Sequence, residues 1–268
     1  MTANQGAPIQ SRPSDRAATG IAGLDEMLRG GLLRGSAVLV EGAPGTGKTT
    51  LGMQFIQHGA AVANEPGIIL TFEMFPRQYY QDAANFGWDL RALEASNKLR
   101  VVMSSPEVTR ADLQSVSGQV ESQAFQIGAR RVLVDSMSHF ERLTSDPVEL
   151  RQIVYEFVNG LKRMGLTAIL TRENPALLGE TANLEEDLAF VVDGYILLRY
   201  VEIASAVRRA LLILKLRGSD HANDIRQFEI TERGVEVRAR FEGQQGIMSG
   251  SPTSTAAEAF MQAFGRKR

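Results

Sequence analysis

Residues Gly42-Ala43-Pro44-Gly45-Thr46-Gly47-Lys48-Thr49 satisfy the pattern G-x-x-x-x-G-K-[ST] at every defined position. The pattern constrains the fold first, because it works only where a strand feeds a loop that opens a helix. The flanks agree. Ser36 to Glu41 is apolar and β-branched, as a buried strand requires, and Thr50 to His58 reads as a helix. The glycines let successive backbone N–H groups turn inward around phosphate oxygens, and the helix N-terminus adds unpaired donors and a positive dipole end. In this reading Gly42 to Gly47 form the cradle. Lys48 reaches the β- and γ-phosphates, Thr49 offers a hydroxyl to Mg²⁺, and Thr50 stands behind it.

Strand and helix patterns alternate after residue 35, which predicts a mostly parallel sheet covered by helices. Gly67 to Phe72, Leu99 to Met103, Arg131 to Asp135 and Leu166 to Thr171 read as strands. Helices are expected over Arg77 to Phe86, Arg110 to Ile127 and Pro147 to Met164. From Val191 the character changes, and Val191 to Val201, Arg209 to Leu216 and Ile225 to Ile230 read as consecutive antiparallel strands. The expectation is an α/β P-loop domain over residues 15–242, with a disordered leader over 1–14 and a flexible tail over 243–268. Within the tail, Ala256 to Arg268 reads as a frayed terminus or a short helix.

Composition narrows the function classes. At 268 residues the chain is long enough for one large α/β domain with tails. No apolar run approaches membrane-spanning length, and the leader lacks a signal peptide's apolar core. No cysteine is present, which excludes disulfides and thiolate metal sites and fits a reducing, cytoplasmic setting. His58, His139 and His221 are scattered without metal-ligand spacing. A net charge of −2 advertises no global basic field for nucleic acid.

A phosphate loop binds nucleotide; hydrolysis needs a second metal carboxylate, a group that positions water, and a cation for developing charge. Asp135 ends an apolar strand, where doubly wound sheets place ligands, and its context has the Walker B form. The bland alternative is a strand-end acid capping a turn. Glu73 follows the strand ending at Phe72. If that strand lies beside the phosphate-loop strand, Glu73 faces the γ-phosphate and can deprotonate water; otherwise it is an exposed acid at a helix start. Thr171 ends a strand on the same rim, as a γ-phosphate sensor or an ordinary strand-end residue. Lys215 and Arg217 fall on one side of a strand end, where two cations repel unless an anion lies between them; the alternative is a solvated terminus.

Thr19-Gly20-Ile21-Ala22-Gly23-Leu24-Asp25-Glu26-Met27-Leu28, Gly30-Gly31-Leu32 and the phosphate loop together resemble the opening of a KaiC-type ATPase domain, of the RecA-like superfamily. Phe86 to Leu90, Ile196 to Glu202, Leu214 to His221 and Met248 to Pro252 are similar to later parts of that family, so the resemblance runs from about Thr19 to Pro252. It implies a RecA-like fold with a C-terminal antiparallel extension, ATP and Mg²⁺ as ligands, and a homo-oligomeric ring of six subunits with ATP at each interface. It implies that Glu73 is the first of two catalytic glutamates, and that Lys215 and Arg217 reach across an interface to a neighbour's γ-phosphate. Met74 replaces the second glutamate, so hydrolysis is expected to be slower or differently tuned. Where KaiC carries its phosphorylated Ser and Thr, this chain has Ala189 and Phe190, so autokinase activity there is expected to be absent.

The expected output is conformational, through an unidentified regulatory protein partner. One competing reading is a DNA-acting RecA-like motor of recombinase or helicase type. Its candidate loop, Glu173 to Asp187, carries five acids and no Lys or Arg, which would repel a phosphate backbone. The other is a nucleotide-gated adaptor with negligible turnover.

Overall fold

The structure, a computed structural model, describes residues 15–114, 118–174, 186–203, 205–241, 244–245 and 253–254. The leader, nearly all of the tail and most of the acidic loop lie outside the described residues. The chain enters through a short antiparallel pair, β1 (Arg16–Ala17) and β2 (Leu32–Leu33), which brackets helix α1 (Leu24–Met27). The Asp25 carboxylate accepts from Thr19 N–H and Thr19 Oγ1, both at 2.7 Å, and from Gly20 N–H at 3.0 Å. One acid thereby satisfies three donors that would otherwise be costly to bury, and it explains the Thr-Gly-x-x-Gly-x-Asp spacing.

The main sheet has nine strands: β3 (Ala37–Gly42), β4 (Gly67–Thr71), β5 (Leu99–Met103), β6 (Arg131–Asp135), β7 (Thr167–Glu173), β8 (Gly194–Ile203), β9 (Ala206–Leu216), β10 (Arg226–Thr231) and β11 (Gly234–Arg240). Their order is β11-β10-β9-β8-β3-β7-β6-β4-β5. Pairing is parallel from β8 through β5 and antiparallel from β8 out to β11, as expected of a parallel core with an antiparallel extension. The helices are α2 (Lys48–Ala61), α3 (Pro76–Ala84), α4 (Leu90–Ala95), α5 (Pro106–Gln114), α6 (Gln119–Ile127), α7 (Pro147–Arg163) and α8 (Glu186–Val191). Along β3 the side chains alternate between two cores. Val38 and Val40 pack with Leu51, Phe55 and Ile56 of α2, while Ala37 and Leu39 pack with Ile153, Phe157 and Leu161 of α7. That is why β3 reads as continuously apolar: it is buried on both faces.

Three expectations need correction. The helix read as Arg110 to Ile127 is two helices, with Gly118 between them. The Asp112 carboxylate accepts from the N–H groups of Gln119 and Val120, and a Cβ on Gly118 would sit 2.3 Å from the Asp112 carbonyl oxygen. A capping acid and a glycine pressed against backbone break the run that hydrophobic spacing suggested. The antiparallel extension holds a fourth strand, β11, turned from β10 at Gly234, whose φ of +109° suits glycine. Finally, β4 does not lie beside β3. Strands β7 and β6 stand between them, so the adjacency on which the placement of Glu73 was conditioned is absent.

Candidate nucleotide site

Strand β3 ends at Gly42, and the chain turns through the phosphate loop into α2. A Cβ at Gly42 would lie 2.6 Å from the Leu198 carbonyl oxygen on β8, so the neighbouring strand requires glycine there. Thr46 is buried, and its Oγ1 donates to the Ala43 carbonyl at 2.8 Å, which pins the turn. Helix α2 opens at Gly47 without a side-chain cap, so the first N–H groups of the helix have no side-chain acceptor of their own. Unsatisfied donors at the start of a helix form an anion site.

Lys48 folds back over this loop, with Nζ donating to the carbonyls of Gly42 at 2.9 Å and Ala43 at 3.0 Å. Burial pushes its ammonium below the usual lysine range, although Glu173, Asp135 and Glu41 oppose the shift. A bound phosphate would replace two neutral carbonyls with a full negative charge.

Asp135 lies at the end of β6 and is 8% exposed. Thr49 Oγ1 and the Tyr79 hydroxyl donate to its Oδ2 at 2.9 and 2.7 Å, and Thr171 Oγ1 donates to Oδ1. Three hydroxyls from α2, α3 and β7 thus hold one carboxylate next to the loop. The site is where the sheet places it, outside the carboxyl ends of the parallel strands. Burial, then Asp135, raises the Tyr79 phenol above its ordinary range, so it remains a donor.

These groups converge on a cavity of about 370 Å³. Pro44, Gly45, Gly47, Lys48, Thr49 and Thr50 line it from the loop and α2, and Glu73, Met74, Tyr79, Asp135, Glu173 and Ile230 line it from other elements. Glu73 therefore reaches the cavity from the loop after β4, even though β4 is three strands from β3. Three carboxylates and one lysine line the described walls. That balance suits an anion only if it arrives with cations. Thr49 and Asp135 fit Mg²⁺ in this setting, since that ion is commonly held by one or two carboxylates, a hydroxyl and the substrate's phosphates rather than by a cage of protein ligands. Among the described residues no cluster of three His, Cys, Asp or Glu could hold a metal by itself.

Lys215 and Arg217 lie elsewhere. Lys215 Nζ donates to the carbonyls of Ala189 and Val192 at 2.7 and 2.8 Å, and Arg217 Nη2 donates to the Phe190 carbonyl at 3.1 Å. Both cations cap the C-terminal end of α8, a favourable place for positive charge. Burial, and then Arg217, lowers the Lys215 ammonium below its usual range. Sequence reasoning missed Tyr79, Glu173 and Ile230. Glu173 carried a signal: it stands two residues after Thr171 on the same strand and so shares its face. Tyr79 and Ile230 carried none that local pattern could supply.

Fold and site together define a RecA-type P-loop domain with a nucleotide pocket. The family profile described as "ATPase: KaiC" matches residues 17–242, and the chain belongs to that family. The circadian clock protein KaiC3 of Synechocystis sp. is 34% identical over 249 residues, covering 92% of this chain and 48% of that protein. The circadian clock oscillator protein KaiC of Thermosynechococcus vestitus is 32% identical over 243 residues, covering 91% of this chain and 46% of that protein. The chain thus spans about half the length of these curated relatives. A KaiC-like protein of Pyrococcus horikoshii OT3 superposes with a TM-score of 0.74 at 31% identity, covering 84% of this chain and 99% of that one. Among the described residues no helix is long and apolar enough to cross a membrane.

Proposed function

We propose that this chain is an Mg²⁺-dependent ATP hydrolase that works as a homo-oligomeric ring, of six subunits by the family resemblance, and signals its nucleotide state to a protein partner through conformation. The observation that carries the reading is the convergence of the loop amides, Lys48, the Thr49–Asp135 pair and Glu73 on one cavity. The chemistry that Mg²⁺ would supply is positive charge against the phosphates. Thr49 and Asp135 would hold it. The loop amides and Lys48 would hold the phosphates. Glu73 would take a proton from water as the water oxygen bonds to the γ-phosphorus and the β–γ bridging bond breaks, leaving ADP and phosphate.

Lys215 and Arg217 of a neighbouring copy would supply the remaining cations. Their support is electrostatic. Among the described residues these two adjacent cations hydrogen-bond to neutral carbonyls, and burial and Arg217 disfavour the Lys215 charge while Asp193 opposes them, so both gain on meeting an anion. Neither Ala189 nor Phe190 carries a hydroxyl to accept phosphate, so autokinase activity at those positions would be absent. The residues 1–14 and 243–268 are taken as tails outside the ATPase domain, and the setting as cytoplasmic.

Glu73→Gln tests the chemistry. It should bind ATP with an affinity within about threefold of the parent while steady-state phosphate release falls by roughly 100-fold or more, the range over which general-base catalysis operates. Unchanged turnover would remove Glu73 from the mechanism. Met74, with a thioether where a second carboxylate would sit in the cavity wall, also favours a nucleotide-gated adaptor with negligible turnover. The phosphate-release rate of the parent protein separates the two readings.

A further inference from the structure

We propose that His139 is a positioning residue for the Glu73 carboxylate, holding one oxygen so that the other faces the attacking water. The proposal rests on Glu73 as the base, as argued above. His139 lies in the short 3₁₀ turn Met137–Arg142 that follows β6, four residues after Asp135. Its Nε2 is 3.2 Å from Glu73 Oε2, and no other side chain among the described residues is recorded bonding that carboxylate. The two partners differ sharply in freedom. The His139 side chain is 13% exposed, whereas that of Glu73 is 76% exposed. Phe72 packs beside the imidazole at 6.3 Å between ring centroids, and Phe72 in turn packs edge-on against Phe140 at 5.5 Å.

An exposed glutamate samples many rotamers, and a base that must meet one water loses rate for every rotamer that points elsewhere. A largely enclosed imidazole packed beside Phe72 is a stiffer post for it. Because the carboxylate is an acceptor only, Nε2 carries the hydrogen and donates. With Oε2 held by this bond the carboxylate is oriented, and Oε1 is the oxygen placed to accept the proton from water. Met74, the neighbour on the chain, cannot serve, since a thioether has no hydrogen to give. The turn that carries His139 grows directly out of the strand that ends in Asp135. One rigid segment would therefore place the metal carboxylate and the post for the base in fixed relation.

The experiment compares His139→Phe, which keeps the packing on Phe72 and deletes the donor, with His139→Gln, whose amide nitrogen can take the place of Nε2. Steady-state phosphate release is measured against ATP concentration, together with melting temperature. The expected result is a roughly 10- to 100-fold lower kcat for the Phe variant, KM within about twofold of the parent, and restoration to within about threefold by Gln. The proposal is overturned if the Phe variant keeps its kcat, if its KM rises in proportion, or if a folded Gln variant is as slow as the Phe variant. Should the Phe variant melt below the assay temperature, the Gln variant decides alone, and a folded but slow Gln variant overturns the idea. Glu73→Gln, run alongside, separates the two layers. If Glu73→Gln abolishes turnover and His139→Phe does not change it, only the role of His139 falls. If Glu73→Gln turns over normally, the assignment of the base falls and this proposal with it.

Discussion

Gly47→Ala probes the phosphate loop through its backbone rather than its charges. Gly47 has φ +105° and ψ +19°, in the left-handed region. Forcing a side chain into such a conformation costs about 1–3 kcal/mol. The new Cβ would also sit 2.7 Å from Ile230 Cδ1. That atom is the end of a flexible side chain, and turning it aside costs only about 0.5–1.5 kcal/mol. The backbone cost therefore dominates. Where it shows depends on the free protein. If the loop keeps its shape without nucleotide, stability falls, by roughly 2–4 °C in melting temperature per kcal/mol for a domain of this size. If the loop relaxes, the cost appears on binding, as a dissociation constant raised by roughly 5- to 150-fold. A thermal melt and an equilibrium titration with fluorescent ATP measure both, and their sum should come to about 1–3 kcal/mol. Loss in neither assay would refute the reasoning. So would full recovery in Gly47→Ala with Ile230→Ala, because that would make the side-chain contact, and not φ, the cause.

Thr171→Val removes one of three hydroxyls on Asp135 while keeping the shape of the side chain. It should destabilise by about 1–3 kcal/mol and raise the Mg²⁺ concentration needed for half-maximal turnover; an unchanged melt and Mg²⁺ titration would contradict the support assigned to Thr171. Arg217→Ala mixed with parent subunits should depress activity more steeply than its mole fraction, whereas a strictly proportional loss argues against a role across an interface. Arg199 is 3% exposed, and none of its guanidinium nitrogens has a hydrogen-bond partner among the described residues. Arg199→Met should therefore raise the melting temperature by several degrees, an unsatisfied buried polar group costing about 1–3 kcal/mol; a fall would show that the guanidinium has an acceptor outside the described residues.

The parts of this protein that were legible in the sequence are those whose cause is local. The phosphate loop needs glycines, a lysine and a hydroxyl at fixed spacing, and the structure places all of them on one turn. The parallel core was legible because strands buried on both faces are apolar throughout. The break at Gly118 was not. The hydrophobic period runs on through it, and the bonds that start α6 come from the Asp112 side chain, which periodicity does not weigh. Tyr79 was hidden for a similar reason. An aromatic residue in an amphipathic helix reads as core, and only the tertiary structure brings its hydroxyl to Asp135.

Strand order is the deeper case, because it bears on how the site is built. Local pattern says which segments are strands but not which are neighbours, and the reading of Glu73 was conditioned on β4 lying beside β3. In the structure β6 and β7 separate them, and these two strands contribute Asp135 and Thr171. The interval along the sheet between the phosphate-loop strand and the strand before Glu73 is therefore occupied by Asp135 and Thr171. Had β4 been adjacent to β3, Glu73 would follow the strand position that β7 now takes. The two carboxylates therefore differ in setting: Asp135 is nearly buried and tied by hydroxyls beside the loop, while Glu73, on the loop after β4, is mostly exposed and meets only His139 among the described side chains.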